Sequence, residues 1–422
     1  MTTVTITNPY RPGAGHQPPY LAGRDAEHAE FDRLLDQDTI LENMVLTGLR
    51  GVGKTVLLDT FKPRAIAKGW GWCGTDLSES VSISEENLAV RLLTDLAVVT
   101  STASAMAPAA PAIGFGASGP DRVEVPVTYD VLASVYKSTP GLVSDKIKAA
   151  LEFAHQVLAA DGKQRVVFAY DEAQNLADHK AKDQFPLSVL LDVFQSLQRK
   201  GIPFMLVLTG LPTLFPKLVE ARTFAERMFR VVTVGRLSSL ESREAIQRPL
   251  DVVGSPIALT EESVDQVCEQ AGGYPYFIQF ICREVYDIFL QQIASGEAPS
   301  AIPVDAIQRK LDTDFFAGRW ARATDRQRQL LWLVAILDRS DEEFSIQELV
   351  AKGREVLSRP FSSSHANQIL ASLAEQGLIY KNRFGRYSYA VPLLGSFILR
   401  TFAPSTEDLA SEAANTTPQA RL

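Results

Sequence analysis

The chain has 422 residues, which is longer than a chain built around a single hydrophobic core usually is. We therefore expect two or three packed units. Its composition, 46% hydrophobic and 22% charged, is that of an ordinary globular protein and excludes a disordered or fibrous chain. The formal net charge of −8 excludes a molecule that is polybasic throughout, so any surface for nucleic acid must be local.

Three cysteines, Cys73, Cys268 and Cys282, lie far apart in the sequence and form no CxxC pair. We therefore expect neither a disulfide framework nor a structural zinc, as is usual in a reducing compartment. No apolar run approaches 18 residues, and the first residues lack the basic and apolar segments of a secretory leader. These features predict a cytoplasmic protein without a membrane span.

The first half of the chain alternates between short apolar runs and helical patterns, and the helical patterns lie at 25–36, 55–67 and 187–197. Residues 1–20 are rich in Pro and Gly and predict an extended arm. Buried strands are predicted at 44–47, 70–77, 166–170, 203–209 and 230–234. Strands that alternate with helices indicate an α/β core over 21–237, whose parallel sheet carries helices on both faces. Within it, the Ala-, Ser- and Gly-rich stretch 100–120 cannot bury much surface and predicts a mobile insertion.

From residue 238 onward the strand signal stops and helical patterns follow, at 241–249, 261–270, 276–292, 325–337, 345–352 and 364–376. The first three predict a small helical domain at 238–312. The last three precede a hairpin signal, Asn382-Arg383-Phe384-Gly385-Arg386 between two short apolar runs. Three helices and a hairpin outline a winged helix at 313–402, and the polar residues 403–422 predict a disordered tail.

One motif carries specific chemistry. Gly48-Leu49-Arg50-Gly51-Val52-Gly53-Lys54-Thr55 matches the phosphate-binding pattern G-x-x-x-x-G-K-[ST], between a predicted strand and a predicted helix. Its glycines let successive N–H groups point inward, and the helix adds its positive end. Lys54 would reach the β- and γ-phosphates of ATP, and the Thr55 hydroxyl would ligate Mg²⁺. The alternative is a tight glycine turn without a ligand. The residues expected to contact the nucleotide are Gly48, Arg50, Gly51, Val52, Gly53, Lys54, Thr55 and Val56.

The apolar strand predicted at 166–170 ends in two carboxylates, Asp171 and Glu172. Beside a phosphate loop, Asp171 would hold Mg²⁺ through water, and Glu172 would orient and deprotonate the attacking water. The alternative is that both acids merely stabilise the first turn of a following helix. The phosphate loop upstream favours the catalytic interpretation.

The strand predicted at 203–209 also ends in a polar residue, Thr209. In a phosphate-loop fold, a strand between the two catalytic strands would place Thr209 near the γ-phosphate. The alternative is that Thr209 belongs to an ordinary turn at the end of a strand.

Together these elements resemble the AAA+ ATPases over nearly the whole chain. Two further motifs are similar to those of the STAND signal-transduction ATPases and the related archaeal and origin-recognition-like ATPases. Leu21-Ala22-Gly23-Arg24-Asp25-Ala26-Glu27 looks like their hhGRxxE motif, which implies adenine contacts from this segment, Arg24 included. Gly273-Tyr274-Pro275 looks like their GxP motif, which implies that 238–312 is a lid and that Pro275 lies over the base and ribose. The resemblance puts Thr209 at the sensor-1 position.

The sequence departs from the resemblance at one point, and the resemblance leaves the role of one further arginine open. The lid has no arginine at the usual sensor-2 point, since Arg283 comes one helical stretch later. Arg227 precedes the last strand, where the superfamily places an arginine finger that acts on a neighbouring subunit. That placement implies a nucleotide-dependent homo-oligomer. The alternative for Arg227 is a solvated arginine at a helix end.

The predicted winged helix leaves two partners open. Residues 315–402 contain 12 lysines and arginines against 8 aspartates and glutamates, and Lys381, Arg383 and Arg386 in the hairpin would contact phosphates of duplex DNA. The expected recognition helix offers His365, Asn367 and Gln368 but no Arg or Lys. The sequence therefore predicts an ATP-hydrolysing switch that acts on DNA. The alternative is a signalling switch with slow turnover, whose winged helix recruits a protein partner.

Overall fold

The computed structural model describes residues 7–13, 15–108, 122–297, 302–337, 343–382, 385–405 and 409. The chain divides into two compact units. We call Arg24–Gly48 with Lys54–Val234 the core unit. We call Met1–Gly23 with Leu49–Gly53 and Gly235–Leu422 the lid unit, a name taken from the predicted lid 238–312 that it contains. In the described ranges, no helix is both long and apolar enough to cross a membrane.

The core unit is built on a parallel sheet. The strands of the unit are β1 (Asn43–Thr47), β2 (Gly71–Cys73), β3 (Ser104–Pro108), β4 (Arg122–Pro126), β5 (Val166–Tyr170), β6 (Phe204–Gly210) and β7 (Phe229–Thr233). Five of them form the parallel sheet, and β3 and β4 form a separate antiparallel pair. The sheet has the order β2–β5–β6–β1–β7, and β6 therefore lies between β1 and β5. Every residue of β1, β5 and β6 is buried, as expected for strands covered on both faces.

Helices surround this sheet: α1 (Asp25–Leu35), α2 (Lys54–Ala67), α3 (Glu85–Thr100), α4 (Tyr129–Ser138), α5 (Val143–Ala160), α6 (Pro186–Arg199), α7 (Leu214–Ala221) and α8 (Ala225–Met228). Aromatic rings pack between β5, β6 and α6. The centroid of the Phe168 ring lies 5.0 Å from that of Phe194 and 5.4 Å from that of Phe204. The α/β class predicted from alternating strands and helices is confirmed.

The lid unit is mainly helical. Its elements are α9 (Ser239–Val253), α10 (Glu261–Ala271), α11 (Pro275–Ala294), α12 (Val304–Leu311), a π-helix (Asp312–Ala317), α13 (Gly318–Trp320), α14 (Asp325–Ala335), α15 (Ile346–Val356), α16 (Ser363–Glu375), β8 (Ile379–Lys381), β9 (Tyr387–Tyr389) and α17 (Leu394–Thr401). Capping boxes fix the starts of α9, α14 and α15, because each has a Ser or Thr at the N-cap and a Glu or Gln three residues later. Three helices followed by the antiparallel β8–β9 hairpin are compatible with a winged helix.

Some elements differ from the expectations. The strand predicted at 70–77 ends at Cys73, and α3, α4 and α5 have no counterpart among the predicted elements. Within the stretch predicted as a mobile insertion, Ser104–Pro108 pairs antiparallel with Arg122–Pro126, whereas 109–121 lie outside the described residues. In the predicted tail, Leu409 is buried and its backbone forms an isolated antiparallel β-bridge with that of Leu357. Residues 406–408 and 410–422 lie outside the described residues.

The N-terminal arm has neither helix nor strand in its described part, yet it packs firmly within the lid unit. Tyr10 is 1% exposed, and its hydroxyl donates to the Ile246 carbonyl at 2.5 Å. The Asn8 amide donates to the Arg283 carbonyl and to the Asp287 carboxylate, at 3.0 and 2.8 Å. The arm is therefore an integral part of the lid unit.

Candidate nucleotide site

The phosphate loop begins where β1 ends and finishes where α2 begins at Lys54. Gly51 and Gly53 have φ of +79° and +90°, a left-handed conformation that strongly favours glycine. The Lys54 ammonium donates to the Gly48 carbonyl at 2.9 Å. The first turn of α2 holds no acidic residue, so no carboxylate there offsets the positive end of the helix. The loop thus has the backbone shape and the positive charge that an anion requires.

A hydroxyl–carboxylate pair lies beside this loop. The Thr55 hydroxyl donates to Asp171 Oδ2, and the Glu172 amide donates to Asp171 Oδ1 at 2.7 Å. Asp171 is 4% exposed, and burial raises its pKa against the lowering effect of these hydrogen bonds. The pair meets because β1 and β5, which flank β6, end at the same edge of the sheet. Hydroxyl and carboxylate oxygens are ligands that suit Mg²⁺, so these two residues fit that ion.

Glu172 adopts a conformation that is unusual for its residue type. Its φ is +50°, in the left-handed region that costs a non-glycine residue about 1–3 kcal/mol. It precedes only a single 3₁₀ turn, Ala173–Asn175, and its side chain makes no capping hydrogen bond. Capping therefore does not account for Glu172, whose side chain is exposed. Strain of this kind is common where a side chain is held for a function.

Two buried hydroxyls near the ends of β1 and β6 have no hydrogen-bond partner among the described residues. They are Thr47 Oγ1 and Thr209 Oγ1, and Thr209 is 0% exposed. The register places Thr209 opposite Leu46, two residues before the loop begins, and Gly210 opposite Thr47, one residue before it. An unsatisfied buried hydroxyl costs about 1–3 kcal/mol, and such groups often mark a bound ligand. Thr209 was a predicted site residue, whereas Thr47 was not.

Gln174 is a second residue that the sequence analysis missed. Its amide donates to the Glu172 carboxylate, and its Oε1 accepts from the Leu211 amide at 3.1 Å. Gln174 therefore ties Glu172 to the turn that follows β6. The only sequence signal was a polar side chain two residues after Glu172, and its partner Leu211 is 37 residues away.

Three other predicted site residues, Arg24, Val56 and Arg227, also belong to the core unit. Arg24 is 5% exposed and pairs with Glu27 at 3.5 Å, so the two charges of its motif bind each other at the start of α1. Val56 is half-buried in the first turn of α2. Arg227 is exposed at the end of α8, and within the described chain its side chain has no hydrogen bond or ion pair. It is accessible to another molecule.

Within the lid unit, helix α11 contacts the loop segment Leu49–Gly53, which belongs to the same unit. Pro275 is the first residue of α11, and the next amide, that of Tyr276, donates to the Gly51 carbonyl at 3.1 Å. Val52 is buried. The Arg50 guanidinium lies next to Gly377, where a Cβ atom would be only 3.4 Å from Arg50 Nη1. The Arg50 side chain therefore contacts the turn after α16.

The hairpin of the predicted winged helix offers less free charge than its sequence suggests. Arg386 donates to the Glu343 carbonyl at 2.7 Å and pairs with Glu348 at 3.3 Å. Lys381 is exposed and lies 5.5 Å from the centroid of the Tyr387 ring. Arg383 lies outside the described residues. On α16, the side chains of His365, Asn367 and Gln368 are exposed, as a recognition helix requires.

Comparisons with known proteins show which folds this chain resembles. A family described as a domain of unknown function (DUF8462) matches residues 313–398. No curated protein matches the chain. Among solved structures, the Walker-type ATPase PABY2304 of Pyrococcus abyssi is similar over 90% of this chain and 96% of its own, with 14% identity and a TM-score of 0.55. The ORC2 protein of Aeropyrum pernix, solved in complexes with ADPNP and ADP, is similar over 92% and 95%, with 13% identity and a TM-score of 0.51. This chain therefore has the fold of the origin-recognition-like AAA+ P-loop ATPases.

Proposed function

We propose that the protein is a Mg²⁺-dependent ATPase that works as a nucleotide-controlled switch. The observation that carries this proposal is the arrangement at one edge of the core sheet, where three adjacent parallel strands end. Lys54 and Thr55 come after β1, Asp171 and Glu172 after β5, and Thr209 is the second-last residue of β6. Each brings a group that phosphoryl transfer needs: a cation, two oxygen ligands, a base and a hydroxyl donor.

In the proposed reaction, Lys54 binds the β- and γ-phosphates. Glu172 takes a proton from a water molecule, whose oxygen bonds to the γ-phosphorus while the bond to the bridging oxygen of ADP breaks. Thr55 and Asp171 would hold Mg²⁺, which supplies positive charge to the phosphate oxygens. The Thr209 hydroxyl donates to the γ-phosphate or to the attacking water. The products are ADP and inorganic phosphate.

The test is steady-state ATP turnover by the purified protein, with Mg²⁺ and with EDTA in excess. We expect turnover that stops when the metal is chelated, because charge on the phosphates is then no longer neutralised. Turnover that continues unchanged in EDTA would contradict the role of Thr55 and Asp171. Absence of both binding and turnover in wild type would contradict the function itself.

We further propose that the C-terminal domain, 313–402, carries the output of the switch to duplex DNA. Support comes from the excess of basic residues in 315–402 and from the exposed polar side chains of α16. ATP turnover measured with and without duplex DNA, at low and moderate salt, tests it. Stimulation that disappears as salt rises is expected, because phosphate contacts release counterions.

The alternative output is a protein partner in the cytoplasm, recruited with slow turnover. A specific observation favours it: Arg386, one of the basic hairpin residues, is already bonded to Glu343 and Glu348. Turnover that is indifferent to DNA at every salt concentration would support this alternative and contradict DNA as the partner.

Arg227 is the residue we propose for action between subunits of a homo-oligomer. Its exposure and its lack of a partner in the described chain support this role. Arg227→Ala and Glu172→Gln should each be inactive, and a mixture should regain part of the turnover. In a mixed oligomer, one site combines an intact Glu172 with Arg227 from its neighbour. A mixture as inactive as its components would contradict this role.

A further inference from the structure

Gln174 is half-buried and lies in the single 3₁₀ turn Ala173–Asn175 that follows Glu172. Both ends of its side-chain amide are hydrogen-bonded. The nitrogen donates to Glu172 Oε2, and Oε1 accepts from the Leu211 amide at 3.1 Å. All of these residues belong to the core unit. The side chain therefore forms a bridge from the proposed base to the turn that follows β6.

The surroundings of Gln174 hold this bridge in place. The Lys217 ammonium, on α7, donates to the Gln174 carbonyl at 2.6 Å. A Cβ atom at Gly210 would be only 2.5 Å from Gln174 Oε1, so the amide occupies the space that a side chain at this position would need. Gly210 directly follows Thr209 in the chain. The bridge is thus fixed to the end of β6 that carries Thr209.

The Glu172 side chain needs such a contact because it is exposed. Exposed side chains change rotamer freely, and a carboxylate that moves is out of reach of its water for part of the time. A hydrogen bond from an amide to a charged carboxylate is strong enough to favour one rotamer. The contact uses Oε2, so Oε1 can accept from a water molecule.

We propose that Gln174 is the positioning residue of the Glu172 base and holds its carboxylate at a fixed place relative to Thr209. The inference rests on the proposed ATPase function and adds a residue that acts only through Glu172. Gln174 makes no contact with the nucleotide in this proposal. Its loss should therefore slow hydrolysis and leave nucleotide affinity unchanged.

The experiment is a double-mutant cycle on single-turnover ATP hydrolysis, with wild type, Gln174→Ala, Glu172→Gln and the double variant. We expect Gln174→Ala to lower the rate about ten-fold, because one charge-assisted contact is lost. Its affinity for a non-hydrolysable ATP analogue should stay within about two-fold of wild type. The double variant should be as slow as Glu172→Gln alone, because positioning has no effect once the base is absent.

Two further variants separate positioning from folding. Gln184→Ala is the matched control, because Gln184 is also half-buried and bridges two backbone groups, the Glu85 amide at 3.0 Å and the Asp183 carbonyl at 3.1 Å. It should hydrolyse ATP as wild type does. Gln174→Glu keeps an oxygen for the Leu211 amide but replaces the donor to Glu172 by a second carboxylate oxygen. Its rate should fall at least as far as that of Gln174→Ala.

The possible results distinguish this inference from the proposed function. An unchanged or faster rate in Gln174→Ala overturns the positioning role, and so does an equal fall with and without the Glu172 carboxylate, which indicates a structural residue. Thermal unfolding checks that each variant folds. If Gln174→Ala does not fold, a wild-type rate in Gln174→Glu overturns the role. A wild-type rate in Glu172→Gln overturns the assigned base and this inference together, whereas absence of hydrolysis in wild type overturns the proposed function itself.

Discussion

Two polar regions of this protein use their side chains in opposite ways. At the carboxyl edge of the core sheet, the buried hydroxyls of Thr47 and Thr209 have no partner in the described chain. In the β8–β9 hairpin, Arg386 is bonded to a carbonyl and to a carboxylate of its own domain. The hydroxyls of the first region can still form hydrogen bonds with a ligand. In the second region, one of the charged side chains is already paired within its own domain.

The difference shows how to distinguish polar side chains that can bind a ligand from polar side chains that stabilise the fold, although both look alike in the sequence. A buried polar group without a partner costs free energy, and in a native fold it calls for an explanation such as a catalytic role or a bound water, ion or ligand. A charge that the fold already pairs has less to offer a ligand. By this criterion the nucleotide site has stronger support than the DNA surface.

The largest expected effect is that of Lys54→Ala. Removing the ammonium removes the charge that would bind the β- and γ-phosphates, and we expect nucleotide affinity to fall at least about 100-fold. Isothermal titration with ADP and an ATP analogue measures it. Lys62→Ala removes an exposed lysine from the same helix and should bind as wild type does. Unchanged affinity in Lys54→Ala would refute the phosphate-binding role of the loop.

Glu172→Gln tests the base without removing the binding site. We expect turnover to fall about 100-fold or more while nucleotide affinity stays within about two-fold, because an amide cannot accept the proton of the attacking water. Single-turnover kinetics and titration measure the two quantities. Glu79→Gln, which changes another exposed carboxylate of the core unit, is the control. Wild-type turnover in Glu172→Gln would show that another group is the base.

Thr209→Val tests directly whether an unpaired buried hydroxyl serves a ligand. If it does, the free energy of unfolding should rise while ATP turnover falls. Replacing an unpaired buried hydroxyl by a methyl of the same shape should raise the free energy of unfolding by up to about 1 kcal/mol. Turnover should fall about ten-fold, since the proposed donor is lost.

The control for Thr209→Val is a buried threonine whose hydroxyl is paired. Thr100 is 0% exposed and donates to the Val127 carbonyl at 2.8 Å, so Thr100→Val should lower the free energy of unfolding by about 1 kcal/mol. Urea titration of both variants makes the comparison. A loss of stability in Thr209→Val, with normal turnover, would indicate a structural threonine.

Much of the candidate nucleotide site was predictable because its geometry follows from topology. Once the strands are parallel, residues that follow β1, β5 and β6 must meet at one edge, and the order β5–β6–β1 agrees with the predicted place of Thr209. The fold class needed only the alternation of apolar runs and helical patterns. Short motifs located Lys54, Thr55 and Asp171 because their chemistry depends on local spacing.

The parts that could not be predicted depend on contacts between distant residues. Gln174 reaches Glu172 and Leu211 only because the turn after β6 comes close, and Arg386 meets Glu348 across 38 residues. Arg50 matched a phosphate-binding motif, yet its side chain lies beside Gly377, 327 positions later in the chain. Spacing within a motif fixes the backbone position of a residue, whereas the direction of a long side chain depends on the tertiary structure.

The smallest expected effects distinguish Lys381 from Arg386, the two basic hairpin residues that the structure describes. Lys381→Gln removes an exposed cation, so we expect DNA affinity to fall a few-fold and its dependence on the logarithm of salt concentration to decrease by about 1. Arg386→Gln breaks a half-exposed pair and should lower the free energy of unfolding by no more than about 1 kcal/mol, with little effect on DNA. Fluorescence anisotropy across a salt series and urea titration measure the two variants. If Arg386→Gln weakened DNA binding more than Lys381→Gln without loss of stability, an internally paired arginine would still serve a ligand, and the criterion drawn from the two regions would not hold for exposed charges.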